Sequence, residues 1–257
     1  MIKYAILTSG SCGNAYIFYD GKTSILIDMG LTVTGLKKRL EALNIPLSSL
    51  KDLYLTHMHP DHSKGAGALH RMEHIAVHTS DKAYEFEKSV FDKLGLKEGD
   101  LSLFSIGEKL TSGSFTLTSF RTSHDSAGSV GYVIESEGKK LFLMTDTGYF
   151  TEESIALATS SAVLFVESNY DEGMLERGSY PYVLKKRIRG ERGHLSNDQA
   201  MDFLKKADLL SAKVYLVHLS ANNNSSSLVQ KIAEEELKDL NLTITVCERG
   251  QGYGDEI

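Results

Sequence analysis

Four potential metal ligands lie within six positions of the segment LTHMHPDHSKG: His57, His59, Asp61 and His62. They cannot share one helix, because Pro60 stands among them and they follow a strand-like apolar run. We therefore predict a tight loop in which His57 and His59 turn toward one point and the other two ligands toward a neighbouring one. Imidazole and carboxylate ligands without thiolate suit zinc, iron or manganese better than copper(I).

Three further polar residues follow apolar runs elsewhere in the chain. His124 comes after FTLTSF, Asp146 after LFLM and a threonine, and His218 after VYLV. A lone histidine in such a place is more simply explained as a hydrogen-bonded residue at the rim of a sheet. The four ligands of the first segment are too few for two metal sites, however. All seven residues together therefore predict that several strand ends converge on a metal centre.

Periodicity indicates the elements that must position these residues. Short β-branched and aromatic runs predict strands at 3–7, 15–19, 24–28, 52–56, 75–79, 115–120, 129–135, 140–146, 162–168, 213–220 and 243–248. Helical spacing of apolar residues predicts helices at 33–45, 63–73, 81–94, 151–159, 181–188, 196–210 and 227–240. Ser196 and Gln199 have the spacing of a capping box. Two packed sheets flanked by helices accommodate this order of elements.

Composition limits the class of protein. A chain of 257 residues, 41% of them hydrophobic and without a repeat or low-complexity linker, predicts a single domain over residues 1–257. No apolar run is long enough to span a membrane and the start does not resemble a signal peptide, so we expect a soluble, cytoplasmic protein with no membrane partner. Cys12 and Cys247 are expected to be free thiols. With a net charge of −6, nucleic-acid binding would need a local basic patch.

The histidine and aspartate pattern resembles that of a known family. HxHxDH followed by a later His, Asp and His is the signature of the metallo-β-lactamase superfamily, and here it extends over residues 57 to 218. The resemblance implies an α/β (α+β) fold, the four-layer αββα sandwich, and two divalent metal ions. It also implies the ligand sets: His57, His59 and His124 for the first ion, Asp61, His62 and His218 for the second, and Asp146 as a bridge. The ligand types leave zinc, manganese and iron open.

Hydrolysis is the expected chemistry, because a pair of divalent ions activates water. Asp61 is the residue expected to orient the attacking water. A second catalytic candidate is His194 in RGERGHLSNDQA, which by position alone is more simply a surface histidine near a helix start. The segment nevertheless resembles the GHxS/T-type motif of tRNase Z and related phosphodiesterases, which implies that His194 is a general acid. A phosphodiester needs such an acid, because its alkoxide leaving group is a strong base.

Several polar segments are candidates for substrate contact. Basic residues with an interleaved tyrosine precede His194, a glycine-rich loop follows the first strand, and serine and asparagine residues follow His218. Guanidinium and ammonium groups neutralise phosphates, tyrosine rings stack on bases, and glycine-rich loops form anion nests. A solvated helix face and simple turns are the alternative explanations. The candidate residues are Ser9, Ser11, Asn14, Tyr182, Lys185, Lys186, Arg187, Arg192, Ser220 and Asn222.

A narrower resemblance concerns the loops. The segments TSGSCGNAY, TDTGY, ESNYDEGML, GSYPYVLKKRI and HLSANNN look like those of the YycJ/WalJ group of bacterial proteins of this fold. The resemblance covers nearly the whole chain and implies 5′-to-3′ exonuclease activity, with DNA rather than RNA as the nucleic-acid substrate. Only 72 positions separate Asp146 from His218, so the extra domain of the β-CASP nucleases is not expected.

Other functions remain open at this point. A hydrolase of small thioesters or lactones would have the same ligands with an apolar pocket, although TSHDSAG lacks the GHTPGH sequence of the glyoxalase II type. A non-haem iron oxidoreductase or a metal-stabilised interaction module without catalysis is a third class. The full ligand set argues against both the oxidoreductase and the module without catalysis. The sequence makes no prediction of oligomeric state.

Overall fold

Fourteen strands and nine helices make up the computed structural model, which describes residues 1–257. The strands are β1 (Lys3–Thr8), β2 (Ala15–Tyr19), β3 (Ser24–Ile27), β4 (Leu50–Tyr54), β5 (Ala76–Ser80), β6 (Leu101–Phe104), β7 (Lys109–Ser112), β8 (Phe115–Arg121), β9 (Val130–Ser136), β10 (Lys139–Met144), β11 (Val163–Glu167), β12 (Ala212–Val217), β13 (Leu242–Val246) and β14 (Tyr253–Glu256). The helices are α1 (Val33–Ala42), α2 (Pro60–Ser63), α3 (Ala66–Glu73), α4 (Asp81–Leu94), α5 (Glu152–Ala158), α6 (Glu172–Arg177), α7 (Tyr182–Arg189), α8 (Asn197–Lys206) and α9 (Ser226–Glu236).

The chain divides into two compact units. The first contains residues 1–121, 126–130 and 250–257, and the second contains residues 122–125 and 131–249. Each unit contains a mixed β-sheet with helices that connect its parallel strands. The single domain expected over residues 1–257, without a β-CASP insertion, stays a prediction.

The sheet of the first unit has the strand order β14-β1-β2-β3-β4-β5-β6. Its first four strands pair in antiparallel fashion and β3 to β6 are parallel. Helix α1 begins at the N-cap Thr32, whose side chain accepts a hydrogen bond from Gly35 N, and it buries Leu36 and Leu40 in the core. Because β3 and β4 are parallel, the residues that follow them lie at one edge of the sheet.

In the second unit, β9 pairs antiparallel with β10, and β10, β11, β12 and β13 form a parallel series. Helix α8 has the predicted capping box of Ser196 and Gln199, and it packs Phe203 on Phe142 with ring centroids 5.7 Å apart. The three carboxyl ends of β10, β11 and β12 therefore share one edge, where Asp146, Glu167 and His218 are found.

The eleven predicted strands and seven predicted helices are present with small differences at their ends. The prediction missed β6, β7 and β14, together with the short helices α2 and α6. Strand β14 contains YGDE, which carries little apolar signal, and it becomes a strand because β1 supplies its hydrogen bonds. No helix combines the length and the apolar character that a membrane crossing requires.

Candidate metal centre

The HMHPDH segment leaves β4 as a loop and then enters helix α2. The ring centroid of His57 lies 4.7 Å from that of His59 and 4.1 Å from that of His62. We predicted one tight loop for all four ligands, and this was wrong for Asp61 and His62, which belong to α2. The reason is that Pro60 occupies the first helical turn, where its missing N–H costs nothing.

Asp28, at the end of β3, determines which nitrogen of His62 is available. Its Oδ2 atom lies 2.6 Å from His62 Nδ1, and its Oδ1 atom accepts a hydrogen bond from Thr56 N at 2.8 Å. Burial raises the pKa of Asp28, and His62 opposes that shift. Because His62 Nδ1 donates to Asp28, Nε2 is the nitrogen that can bind a metal. The sequence prediction missed Asp28, although an acidic residue directly after the apolar strand SILI was a visible signal.

Asn14 lies in the first glycine-rich loop and is fully buried. Its Nδ2 atom is 3.2 Å from Asp61 Oδ2 and 2.9 Å from His62 Nε2, and its backbone N–H donates to the carbonyl of Asp61 at 2.7 Å. The segment after β3 also approaches closely, because a Cβ atom on Gly30 would lie 1.9 Å from Asp61 O and 2.4 Å from Asn14 N. Asn14 is therefore placed to orient predicted ligands. Its role in substrate binding stays a prediction.

The second unit holds the other predicted ligands together. The Oδ1 atom of Asp146 lies 3.6 Å from His124 Nε2 and 3.7 Å from His218 Nε2. His124 Nδ1 donates to the carbonyl of Gly193 at 3.0 Å, so Nε2 is the ring nitrogen that faces Asp146. Asp146, Glu167, His194 and His218 each offer a ligand atom, and these atoms lie within 4.8 Å of one another.

Glu167, the last residue of β11, was missed by the sequence prediction. Its Oε1 atom is shared by His194 Nδ1 at 2.7 Å and His218 Nδ1 at 2.8 Å, and its Oε2 atom accepts from the backbone N–H of Leu195 at 3.1 Å. Burial disfavours its charged form, but the two histidines outweigh burial and lower the pKa of Glu167 to about 2. The carboxylate therefore fixes both imidazoles through their Nδ1 atoms.

His194 lies in the loop between α7 and α8, with its side chain 20% exposed. Burial disfavours its cationic form, but Glu167 and Asp146 raise the pKa of His194 above its ordinary value. The imidazole is thus partly accessible, held through Nδ1 and stabilised in its protonated form. These are the properties of a group that can deliver a proton from Nε2.

Three polar residues after strand ends, one in the first unit and two in the second, have left-handed backbone conformations. Asp28, Asp146 and His218 have φ angles of 61°, 54° and 58°, and each follows the carboxyl end of a strand. Side chains other than glycine rarely adopt this conformation, which costs about 1–3 kcal/mol per residue. The surrounding hydrogen bonds and packing hold these turns, which direct the three side chains out of the strand ends.

Neighbouring acidic groups neutralise two arginines of the predicted basic segment, Arg187 and Arg189. Arg187 Nε donates to Asp125 Oδ2 at 2.5 Å, and Arg189 pairs with Glu172 and Glu176 at 2.8 and 2.7 Å. Lys186 is exposed and makes no ion pair. Two other predicted contacts bond to backbone carbonyls. Lys185 Nζ donates to the carbonyl of Glu176, and Arg192 Nε donates to the carbonyl of His124. The side chain of Tyr182 is 77% exposed. A surface hollow of about 410 Å³ is lined by Tyr182, Lys185, Lys186 and Arg189 with Glu176 and Gly190.

The other predicted contacts lie in two loops. Ser9 is buried and Ser11 is exposed in the loop after β1. Ser220 Oγ accepts hydrogen bonds from the backbone N–H groups of Asn222 and Asn223 at 3.4 and 3.3 Å, and Asn222 Nδ2 donates to Tyr180 Oη at 2.8 Å. These bonds shape the turn after His218. Substrate contact by any of these residues stays a prediction.

The donor set in each unit fits a divalent metal ion. Metal-binding histidines typically donate their second ring nitrogen to a carboxylate or a carbonyl, and His62, His124 and His218 all do so. Buried carboxylates stand beside them, and no cysteine takes part. Nitrogen and oxygen donors of this kind bind divalent ions of the first transition series.

Solved structures with the same fold are similar along nearly the full chain. The metallo-β-lactamase fold protein YhfI from Bacillus subtilis has a TM-score of 0.75 at 19% identity, covering 98% of this chain and 99% of its own. The short form of human tRNase Z has a TM-score of 0.66 at 14% identity, covering 98% of both chains. With the two mixed sheets flanked by helices, these likenesses confirm the predicted fold class.

Relatives by sequence are more specific. The model of the family described as "Beta-lactamase superfamily domain" matches residues 23–219. Exodeoxyribonuclease YycJ of Bacillus anthracis is 29% identical over 99% of this chain and 92% of its own length. Exodeoxyribonuclease WalJ of Streptococcus pneumoniae is 32% identical over 95% of this chain and 91% of its own. The chain therefore belongs to the metallo-β-lactamase superfamily and, within it, to the YycJ/WalJ group, and it is a metal-dependent hydrolase.

Proposed function

We propose that the chain is a phosphodiesterase that holds two divalent ions and degrades DNA from the 5′ end as an exonuclease. The observation that carries the proposal is the pair formed by His194 and Glu167, which lies beside Asp146. The names of the relatives, both exodeoxyribonucleases, support DNA as the substrate.

In the proposed mechanism, bound divalent ions supply an activated water molecule and neutralise phosphate charge. Asp61, held by the Asn14 amide at 3.2 Å, orients the water and accepts its proton. His194 donates a proton from Nε2 to the leaving oxygen while Glu167 stabilises the imidazolium through Nδ1. Glu167 also keeps His218 in the tautomer that exposes Nε2.

The position of His194 supports a phosphodiester as the substrate more than a thioester or a lactone. A phosphodiester releases a strongly basic alkoxide, which needs the proton that His194 is placed to give. A hydrolase of small apolar substrates would instead present an apolar pocket. The hollow beside α7 is lined by three cationic side chains, Lys185, Lys186 and Arg189, and by one acidic one.

Two exposed tyrosines support contact with unpaired bases. Tyr182 is 77% exposed at the start of α7, and Tyr149 is 45% exposed three residues after Asp146. The backbone before Tyr149 is fixed, because Thr147 Oγ1 donates to its carbonyl at 2.6 Å. Aromatic rings that are held at a fixed place and open to solvent can stack on bases of any sequence.

The test uses DNA and RNA strands labelled at either the 5′ or the 3′ end, with metal-replete wild type and His194→Ala. We expect wild type to release labelled mononucleotide first from 5′-labelled DNA, with RNA degraded more slowly. His194→Ala should slow this reaction by about 10²- to 10⁴-fold. It should have much less effect on a nitrophenyl phosphodiester, because nitrophenolate leaves without a proton.

A matched control is His74→Asn, which changes an exposed histidine and keeps a side chain that tolerates its left-handed backbone at φ 56°. It should leave both rates unchanged. An unchanged DNA rate in His194→Ala would refute the acid role, and early label release from 3′-labelled strands would refute the direction.

A further inference from the structure

We propose that Glu87, in the middle of α4, is a positioning residue for the ligand pair His57 and His59 and that it acts through Ser126. Glu87 Oε1 accepts hydrogen bonds from Ser126 Oγ at 2.6 Å and from the backbone N–H of Ala127 at 2.5 Å. Ser126 Oγ in turn accepts from the backbone N–H of Met58 at 3.3 Å. Met58 is the residue between the two histidines, so the chain of bonds ends on the peptide that connects them.

The direction of these bonds is fixed by chemistry. A carboxylate only accepts, so the Ser126 hydroxyl gives its proton to Glu87 and offers its lone pairs to Met58 N–H. Ser126 is 3% exposed, and a hydrogen bond to a charged group at a buried site contributes more than one between neutral groups. The bond that the hydroxyl of Ser126 donates to the carboxylate therefore orients the oxygen that accepts from Met58 N–H.

Helix α4 is kinked at Glu87. Glu87 has φ −118° and ψ 24°, the one non-helical pair of dihedral angles inside α4. The kink occurs where the side chain binds the segment 126–130 and not at a proline or glycine, the residues that usually cause a kink. The position of the kink is thus tied to the contact with Ser126 and Ala127.

The same segment is held at two other places, and we refer to residues 126–130 as the strap. Ser80, the N-cap of α4, donates from Oγ to the carbonyl of Gly128 at 2.7 Å. A Cβ atom on Gly128 would lie 2.5 Å from Ala83 N, so only glycine fits there. Val130 N donates to the carbonyl of Thr56 at 3.0 Å, directly before His57. The strap therefore connects α4 to the peptide groups on both sides of His57.

Loss of the Glu87 carboxylate should loosen the ligand pair without removing a ligand. Metal sites tolerate displacements of only about 0.5 Å, and loss of an outer partner costs about 10- to 100-fold in metal affinity. Glu87 acts through one intervening side chain, so we expect the lower end of that range. The inference rests on the proposed metal site and does not depend on the proposed substrate.

The experiment titrates metal-free protein with zinc by calorimetry in the presence of a competing chelator. Glu87→Ala and Ser126→Ala should each raise the zinc dissociation constant about tenfold, and the double variant should be no worse than either single one, because both remove the same chain of bonds. Glu87→Gln should retain most of the affinity, since its amide oxygen still accepts both bonds. The matched control is Glu85→Ala, which removes an exposed carboxylate of the same helix that pairs with Lys82.

Wild-type zinc affinity in Glu87→Ala, or additive losses in the double variant, would overturn the proposal. If Glu87→Ala does not fold, Ser126→Ala carries the test, because it deletes a single hydroxyl. Wild-type affinity in that variant is then the overturning result. Absence of nuclease activity in a wild type that binds zinc would count against the proposed function and leave this inference standing.

Discussion

Glu167 accepts a hydrogen bond from Nδ1 of His194 at 2.7 Å, and the same oxygen atom is 2.8 Å from Nδ1 of His218. One buried carboxylate thus fixes a proposed proton donor and a proposed metal ligand at the same time. A change at Glu167 should therefore affect both the chemistry and metal binding, whereas a change at His194 should affect chemistry alone.

Glu167→Gln removes the charge and replaces one acceptor oxygen by an NH₂ group, which must face either both histidines or the backbone N–H group of Leu195. We expect zinc affinity to fall about 10- to 100-fold, because the tautomer of His218 is no longer enforced. DNA hydrolysis should fall further than metal loss explains, which rate measurements at saturating zinc will show. His194→Ala should retain as many metal ions per chain as wild type, measured by mass spectrometry. Glu153→Gln, on an exposed part of α5, is the control. Unchanged zinc affinity in Glu167→Gln would contradict the assignment.

Asp28→Asn tests the corresponding contact in the first unit. The asparagine amide can direct its NH₂ group at His62 Nδ1, which would move the imidazole proton to Nε2, the proposed ligand atom. We expect about a 10- to 100-fold loss of metal affinity, measured by calorimetry. Asp92→Asn, at an exposed site on α4, should bind zinc as wild type does. An equal affinity in the two variants would exclude the role of Asp28.

Lys186 and Arg189 lie on the same helix, α7, and allow a comparison of an unpaired with a paired cationic side chain. Lys186 makes no ion pair, whereas Arg189 is paired with Glu172 and Glu176. Lys186→Ala should weaken DNA binding and reduce the slope of log K against log salt concentration by about one. Arg189→Ala should change the slope much less, because its charge is already neutralised. Binding measured by fluorescence anisotropy over a range of salt checks this, and equal slopes for the two variants would show that local pairing does not govern the contact.

Asp52, in β4, provides a pH dependence away from the metal centre. Burial opposes its charged form, but hydrogen bonds from His78 at 2.7 Å and from Ser112 lower the pKa of Asp52. Tyr54 and Lys51 are the other titratable neighbours. Because the folded-state pKa lies below the unfolded value of about 3.9, Asp52 stabilises the fold above that value. This stabilisation is lost as the pH falls through the folded-state pKa.

Urea unfolding of metal-free protein tests whether Asp52 stabilises the fold only above its folded-state pKa. At neutral pH, Asp52→Asn should lower the free energy of unfolding by about 1–3 kcal/mol, the cost of disrupting a partly buried charged network. The difference between wild type and variant should shrink below about pH 4. Asp92→Asn is again the control. A difference that does not change with pH would show that the charge of Asp52 is not involved.

Much of the fold and the candidate ligands could be predicted from the sequence because their signals are local. Strand and helix periodicity depends on neighbours a few residues apart, and the HxHxDH spacing needs only six positions. Where the local signal is weak, as in β14 with its sequence YGDE or in α2 with four residues, prediction failed. Strand β14 exists because β1 supplies its hydrogen bonds, and α2 is held to the segment after β3 by the bond from Met29 N to the carbonyl of His62 at 2.7 Å.

By itself, the sequence determined the superfamily, the candidate ligands and the strand ends that carry them. Only the tertiary structure decided which ring nitrogen of His62 and of His218 is bound to a carboxylate, because that depends on residues far along the chain. Asp28 and His62 are 34 positions apart, and Glu167 and His218 are 51 apart. Parallel pairing of β3 with β4 brings the first two residues to one edge of their sheet, and parallel pairing of β11 with β12 does the same for the other two in the second sheet. A hydrogen bond between distant residues leaves no periodic trace in the sequence, so its partners become visible only when the strands are paired.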